Sequence, residues 1–223
     1  MRLGLRAARS CRGPLLRRWS SSATPALAGQ SGTELFDVVA APPAGADFVE
    51  GASLTGATIT REAAHAGGAW HRSVQVWLAD PSASAVLLQL RSAHKDTHPN
   101  LWDVSVAGHV DAGERPAATA ARECAEELGL AGLRLRHLGT AVSTTRGRVP
   151  GAAAPWLCNE LQEVYVGHID QARELTLEAA EVAAVCWLPA DALGAALLRG
   201  DPAFVPRTAA YWARVQPQLF VPP

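Results

Sequence analysis

One stretch constrains this chain more than any other: Gly108 to Leu130, GHVDAGERPAATAARECAEELGL. Its glycine is followed after five residues by Glu114, and after seven more by Arg122-Glu123-Cys124-Ala125-Glu126-Glu127-Leu128-Gly129-Leu130. Proline suits the first helical turn, where its missing N–H costs nothing, and glycine is the natural left-handed stop. Pro116 and Gly129 therefore predict a helix over residues 116 to 128, entered from a glycine-marked loop.

At about 100° per residue, Glu123, Glu126 and Glu127 share one narrow sector of that helix, and Ala121, Cys124, Ala125 and Leu128 share the opposite one. The expectation is one core face and one carboxylate face. Like charges four residues apart cost a few tenths of a kcal/mol, and carboxylates near a helix C-terminus oppose the macrodipole by about 0.3–1 kcal/mol each. Local stability does not favour such a pattern. A hard divalent cation resolves it, because Mg²⁺ takes oxygen ligands and is held by a few carboxylates together with substrate phosphates.

The stretch resembles the signature of the Nudix hydrolases at every fixed position, with Cys124 as the apolar residue. The resemblance implies an α/β fold, the Nudix alpha-beta-alpha sandwich with a mixed sheet. It also implies that Glu123, Glu126 and Glu127 bind a catalytic Mg²⁺ or Mn²⁺, while Glu114 and Arg122 pair to fix the loop, between Gly108 and the stop at Gly129.

The first thirty residues differ in composition. Arg2, Arg6, Arg9, Arg12, Arg17 and Arg18 precede the first acidic residue, Glu34, with Ser20, Ser21 and Ser22 behind them. An Arg-rich, Ser-containing, acid-free leader reads as an organellar transit peptide over residues 1–30, mitochondrial first and plastid second. Removing its six arginines takes the formal charge from −1 to −7, which argues against a nucleic-acid polymer as partner. No apolar run is long enough for a membrane span. Residues 31–68 form an Ala/Gly/Pro-rich segment in which Leu35-Phe36-Asp37-Val38-Val39 is strand-like but unassigned. The catalytic domain is placed at 69–215. Cys124, Cys158 and Cys186 form no CxxC pair and read as buried thiols, with neither a disulfide nor structural zinc indicated.

Within the domain, Val74, Val76 and Leu78 alternate with Ser73, Gln75 and Trp77, and Val86, Leu88 and Leu90 with Leu87, Gln89 and Arg91. Asp80-Pro81-Ser82 supplies turn chemistry between them, so a strand pair is expected. LWDVSVA is read as a third strand running into Gly108, with further strands at 133–142, 159–166 and 182–188, and a short helix from Pro189 to Gly200.

His71-Arg72, LLQLR, HPNLWDVSVAGHV, NELQEVY and WLPADAL are similar to the Nudix subgroup that includes type I isopentenyl-diphosphate isomerases. By that resemblance His71, His109 and Glu160 match metal-shell positions, and Cys158 stands where a carboxylate is expected. The isomerase cysteine position is Ala107, so hydrolysis is favoured over isopentenyl-diphosphate delta-isomerase activity. A catalytically silent Nudix-fold binding module is a third reading, which the complete acidic set opposes. Glu127 and Glu160 are the candidate catalytic carboxylates. Arg91, Lys95 and His98 are candidate phosphate contacts and Trp102 a candidate wall of a site for a small-molecule diphosphate. A homodimer is left open.

Overall fold

The computed structural model describes residues 2–5, 32–95, 97–147 and 156–221. The leader otherwise lies outside the described residues, as does much of the Gly/Ala/Pro loop before Trp156. In chain order the elements are β1 (Arg2–Leu5), β2 (Leu35–Val39), β3 (Phe48–Val49), β4 (Leu54–Thr60), α1 (Arg61–Gly67), β5 (Trp70–Asp80) and β6 (Ala85–Arg91). These are followed by β7 (Trp102–Asp103), β8 (Val106–His109), α2 (Pro116–Leu128), β9 (Leu135–Gly147), β10 (Trp156–His168), β11 (Leu175–Glu178) and β12 (Val182–Pro189). The helices α3 (Ala190–Leu198) and α4 (Ala209–Val215) close the chain.

The main sheet runs β12-β6-β5-β10-β9-β3, with β7 added to β6 and β8 to β5. It is mixed: β5 and β10 are parallel, and the other pairs are antiparallel. Helices cover both faces. Trp77, Ala79, Val86 and Leu88 pack on one side with Leu193, Tyr211 and Trp212 of α3 and α4. Val74, Val76, Leu78 and Leu87 pack on the other with Ala120, Cys124 and Leu128 of α2. The α/β sandwich is as expected, and the alternation along β5 and β6 has buried residues on both sides. It sorts side chains between two cores, as a doubly covered strand requires. Asp103 and Val106 end and begin separate short strands, so LWDVSVA is broken into β7 and β8.

Between the two faces the packing leaves little slack. A Cβ at Gly194 on α3 would lie 2.5 Å from Nε1 of Trp212. Alanine gains roughly 1 kcal/mol of helix propensity over glycine, whereas forcing extra atoms into a packed core costs about 1–3 kcal/mol. Gly194→Ala is therefore expected to lower stability on chemical denaturation; an unchanged or raised midpoint would contradict the packing argument.

Residues 32–68 pack around the sheet rather than apart from it. β2 pairs with β4, and Phe36 bridges to Asp111 in the loop before α2. Thr60 caps α1 by accepting a hydrogen bond from the Ala63 N–H, and Gly68 ends it at φ 69°. Arg2–Leu5 pair with β11. Among the described residues, no helix is long and apolar enough to cross a membrane.

Candidate active site and metal centre

The helix α2 begins at Pro116 and ends at Gly129, whose φ is 71°. The N–H groups of Gly129 and Leu130 donate to the carbonyls of Ala125 and Cys124, a double closure of the last turn. Its orientation differs from the expected clean division. Ala121 is exposed and Ala125 only partly covered, whereas Thr119, Ala120, Cys124, Glu127 and Leu128 are buried. The helix is rolled so that Glu127 turns inward, where Gln89 Nε2 donates to its Oε2 at 3.3 Å. Propensity rules cannot foresee that roll, because it is set by what the sheet offers underneath.

The three carboxylates of α2 now occupy different surroundings. Glu123 lies across the α-carbon of Gly108: a Cβ there would meet its Cδ and Oε1 at 2.3 Å. Glu126 is exposed. Arg122 holds the group together from outside, donating to Glu114 at 3.1 and 3.3 Å, to Glu123 at 2.9 Å and to Glu126 at 2.9 Å. Thr119 also donates to Glu114 at 2.8 Å. Burial pushes Glu127 up to about 8, with Glu123 adding to the rise, and burial pushes Glu123 up to about 7 against the pull of Arg122. Two carboxyls whose ionisation burial opposes are an oxygen donor set short of positive charge. Such a set fits Mg²⁺ or Mn²⁺.

A second group assembles from four elements. The parallel register of β10 on β5 sets Glu160 beside His71, and β8 on β5 sets His109 beside Ser73. His65 comes from α1 and Cys158 from β10. Ligand atoms of His65, His71, His109 and Cys158 all lie within 4.8 Å of one another. Cys158 Sγ is 3.6 Å from His65 Nε2 and 3.9 Å from His71 Nε2. Nδ1 of His71 faces the carbonyl of Ala69 at 3.0 Å, which turns its Nε2 towards the cluster. Burial drives His65 down to about 3 and His109 to about 4, so both imidazoles are neutral, the ligating form. Phe36 packs its ring on His71 and His109 at 4.8 and 4.7 Å. Nitrogen and sulfur donors of this kind suit a borderline cation such as Zn²⁺ rather than Mg²⁺. The cysteine-spacing rule misses this cluster because it contains a single thiol among histidines distant in sequence, and nothing local singles out His65.

Glu160 borders the second group. Its Oε1 is 3.3 Å from His109 Nε2 and 3.9 Å from His71 Nε2, and its Oε2 accepts from Gln162 at 2.7 Å. Burial opposes its charge, but the His109 and Gln162 hydrogen bonds hold the carboxyl well below the usual range. A cavity opens beside it, whose lining includes Gly108, His109, Cys158 and Glu160 together with Arg91, Lys95, His98 and Arg207. Arg91 and Arg207 both donate to Asp103, at 3.2 and 2.6 Å, and Lys95 is paired with Glu181. Arg91, Lys95 and His98 thus line the cavity as expected of phosphate contacts, though two of them already carry carboxylate partners. Trp102 does not line it; its indole packs against the core instead, beside Phe204. The aromatic in the cavity wall is Trp156, against His65 at 4.8 Å.

The raised carboxyls have a thermodynamic consequence. A carboxyl whose folded pKa exceeds its unfolded value contributes stability below about 4.5 that is lost as pH rises through about 8. The depressed histidines act oppositely, but only up to their unfolded value of 6.5. Metal-free protein is therefore expected to lose on the order of 1 kcal/mol per pH unit from pH 6.5 to 8. Saturating Mg²⁺ should flatten that slope. Melts across the window check it, and a rising metal-free Tm would contradict it.

Residues 69–208 match the family described as NUDIX domain. Nudix hydrolase 3 of Arabidopsis thaliana is 34% identical over 160 residues, which is 68% of this chain but 20% of that protein. The chain thus spans only a fifth of that relative. The isopentenyl-diphosphate Delta-isomerase of Nocardia farcinica is 35% identical over 158 residues, covering 70% of this chain and 85% of the relative. A crystal structure of a Deinococcus radiodurans protein superposes with a TM-score of 0.57 at 22% identity, over 84% of this chain and 100% of its own, a likeness of fold.

Proposed function

Because this chain belongs to the Nudix family, we propose that it is a divalent-metal-dependent hydrolase cleaving the diphosphate linkage of a nucleoside- or isoprenoid-type X-linked diphosphate. The observation that carries this reading is the buried, inward Glu127 beside the largely covered Glu123, an acidic pair whose charge a divalent cation would stabilise. Glu123, Glu126 and Glu127 would hold Mg²⁺ or Mn²⁺. A divalent ion bound there neutralises phosphate charge and lowers the pKa of a water. Glu160, ionised and facing the cavity, takes the proton as the water oxygen bonds to phosphorus and the anhydride P–O bond breaks. Arg91, Lys95 and His98, which also line the cavity, would contact the departing phosphate. Ser73, Gln75, Thr97, Ser143 and Gln162 also line the cavity, which favours a hydrogen-bonding X over a prenyl chain.

One observation supports the isomerase reading. A thiol does reach the cavity, Cys158, although Ala107 occupies the isomerase cysteine position and Cys158 sits between two imidazoles. A panel of UDP-glucose, ADP-ribose, diadenosine tetraphosphate, coenzyme A, geranyl diphosphate and isopentenyl diphosphate separates the two. Phosphate-bond hydrolysis with Mg²⁺ is expected, lost with EDTA and restored by excess Mg²⁺. Isomerisation without hydrolysis would overturn the proposal, and silence throughout would favour the binding module.

A further inference from the structure

Gln75, at the edge of the cavity, and Tyr211, in the core, are given no metal or phosphate contact above, yet both are polar and buried. Buried polar groups are paired, and here the pairing forms a single file. Trp77 Nε1 donates to Tyr211 Oη at 2.8 Å, and Tyr211 donates to Gln75 Oε1 at 2.5 Å. Gln75 Nε2 donates to Gln162 Oε1 at 2.8 Å, and Gln162 Nε2 donates to Glu160 Oε2 at 2.7 Å. The direction is set at both ends. An indole N–H only donates and a carboxylate only accepts, so each amide between them can satisfy its neighbours in just one orientation. Hydrogen bonds aligned head to tail also polarise one another and stiffen the file.

The file begins in the core under α4 and ends on the carboxylate that faces the cavity. It occupies Oε2 of Glu160 and leaves Oε1 turned to His109 and His71. We propose that Tyr211, acting through Gln75 and Gln162, is a positioning residue that locks the rotamer of Glu160 and thereby couples the C-terminal helix to the reacting end of the site. This rests on the catalytic role given to Glu160 above. Tyr211 carries it because its ring is already anchored by Trp77 and Phe48, so the hydroxyl has one place to be.

The test uses the full chain, with Tyr211→Phe, Gln162→Met and Glu160→Gln as variants. Tyr211→Phe keeps the ring and removes one hydroxyl, and Gln162→Met covers the case in which it folds poorly. Two readouts are needed: steady-state hydrolysis of the panel substrate turned over fastest, and side-chain amide resonances of Gln75 and Gln162 by NMR. The expected result is a kcat lowered about tenfold in both relay variants with KM within about twofold. In Tyr211→Phe the Gln162 amide proton should also move upfield and exchange faster. Unchanged kcat and an unmoved Gln162 resonance in Tyr211→Phe would overturn the proposal, as would a loss appearing only in KM. Should Glu160→Gln itself remain fully active, the catalytic reading of Glu160 falls, while the resonances still decide whether the file orients it.

Discussion

Glu127→Gln is expected to remove turnover almost completely, with kcat falling by about 10³-fold or more, equivalent to at least ~4 kcal/mol of transition-state stabilisation. The substitution is isosteric and the site is nearly sealed, with 2% of the residue exposed. Nothing in the packing changes; the charge does. Burial makes that charge costly in the folded protein, as its rise to about 8 shows. The amide should therefore leave metal-free Tm unchanged or higher at pH 8 while abolishing the gain in Tm that Mg²⁺ confers. Function maintained at the expense of stability is the pattern expected of a site residue. Steady-state rates and melts with and without Mg²⁺ check both halves, and full activity in Glu127→Gln would remove α2 from the chemistry.

Gly108→Ala is expected to be nearly as damaging for a different reason. The backbone at Gly108 needs no left-handed conformation, since it is absent from the positive-φ glycines, so alanine adopts it without strain. The obstruction is the Glu123 side chain, whose Cδ and Oε1 would lie 2.3 Å from the new methyl and whose Cγ would lie at 2.8 Å. The far end of a flexible side chain yields more readily than a strand. Glu123 would swing away from Gly108 and from Arg122, leaving the fold intact and the metal-binding set one carboxylate short. The expected loss is about 10²-fold in kcat with a stability change under about 2 kcal/mol. Glu123→Asp shortens the colliding chain, so the double variant should lose less than the product of the single effects. Strict additivity would place the damage elsewhere.

The parts of this protein that were legible in its sequence are those governed by near neighbours. Pro116 and Gly129 bound α2 as expected, because a missing N–H and a freely left-handed residue act on their own turn. The strands at β5, β6, β10 and β12 appear where β-branched and apolar residues cluster. The pairing of Glu114 with Arg122 also follows, since both ends of that contact lie within one loop and helix. The division into a core face and a carboxylate face failed on α2, which is rolled until Glu127 is buried, because the sheet beneath presents Gln89 to it.

What remained hidden was assembled across long separations. His65 and Phe36 come from the segment that carried no assignable pattern; Phe36 reaches the site on β2, which docks at Asp111, and His65 on α1, which packs against β10. Arg207 and Tyr211 arrive from the C-terminal end, and Trp102, expected at the cavity, is claimed by the core. The sequence by itself determined the family and the carboxylate-bearing helix, since motif spacing records covalent neighbours and their turns. Tertiary structure alone decided which carboxyl is buried, which partners each oxygen of Glu160 takes and which histidines surround Cys158. Those outcomes depend on strand register and helix roll, settled by packing energy summed over the whole sheet, and no short window of residues contains that sum.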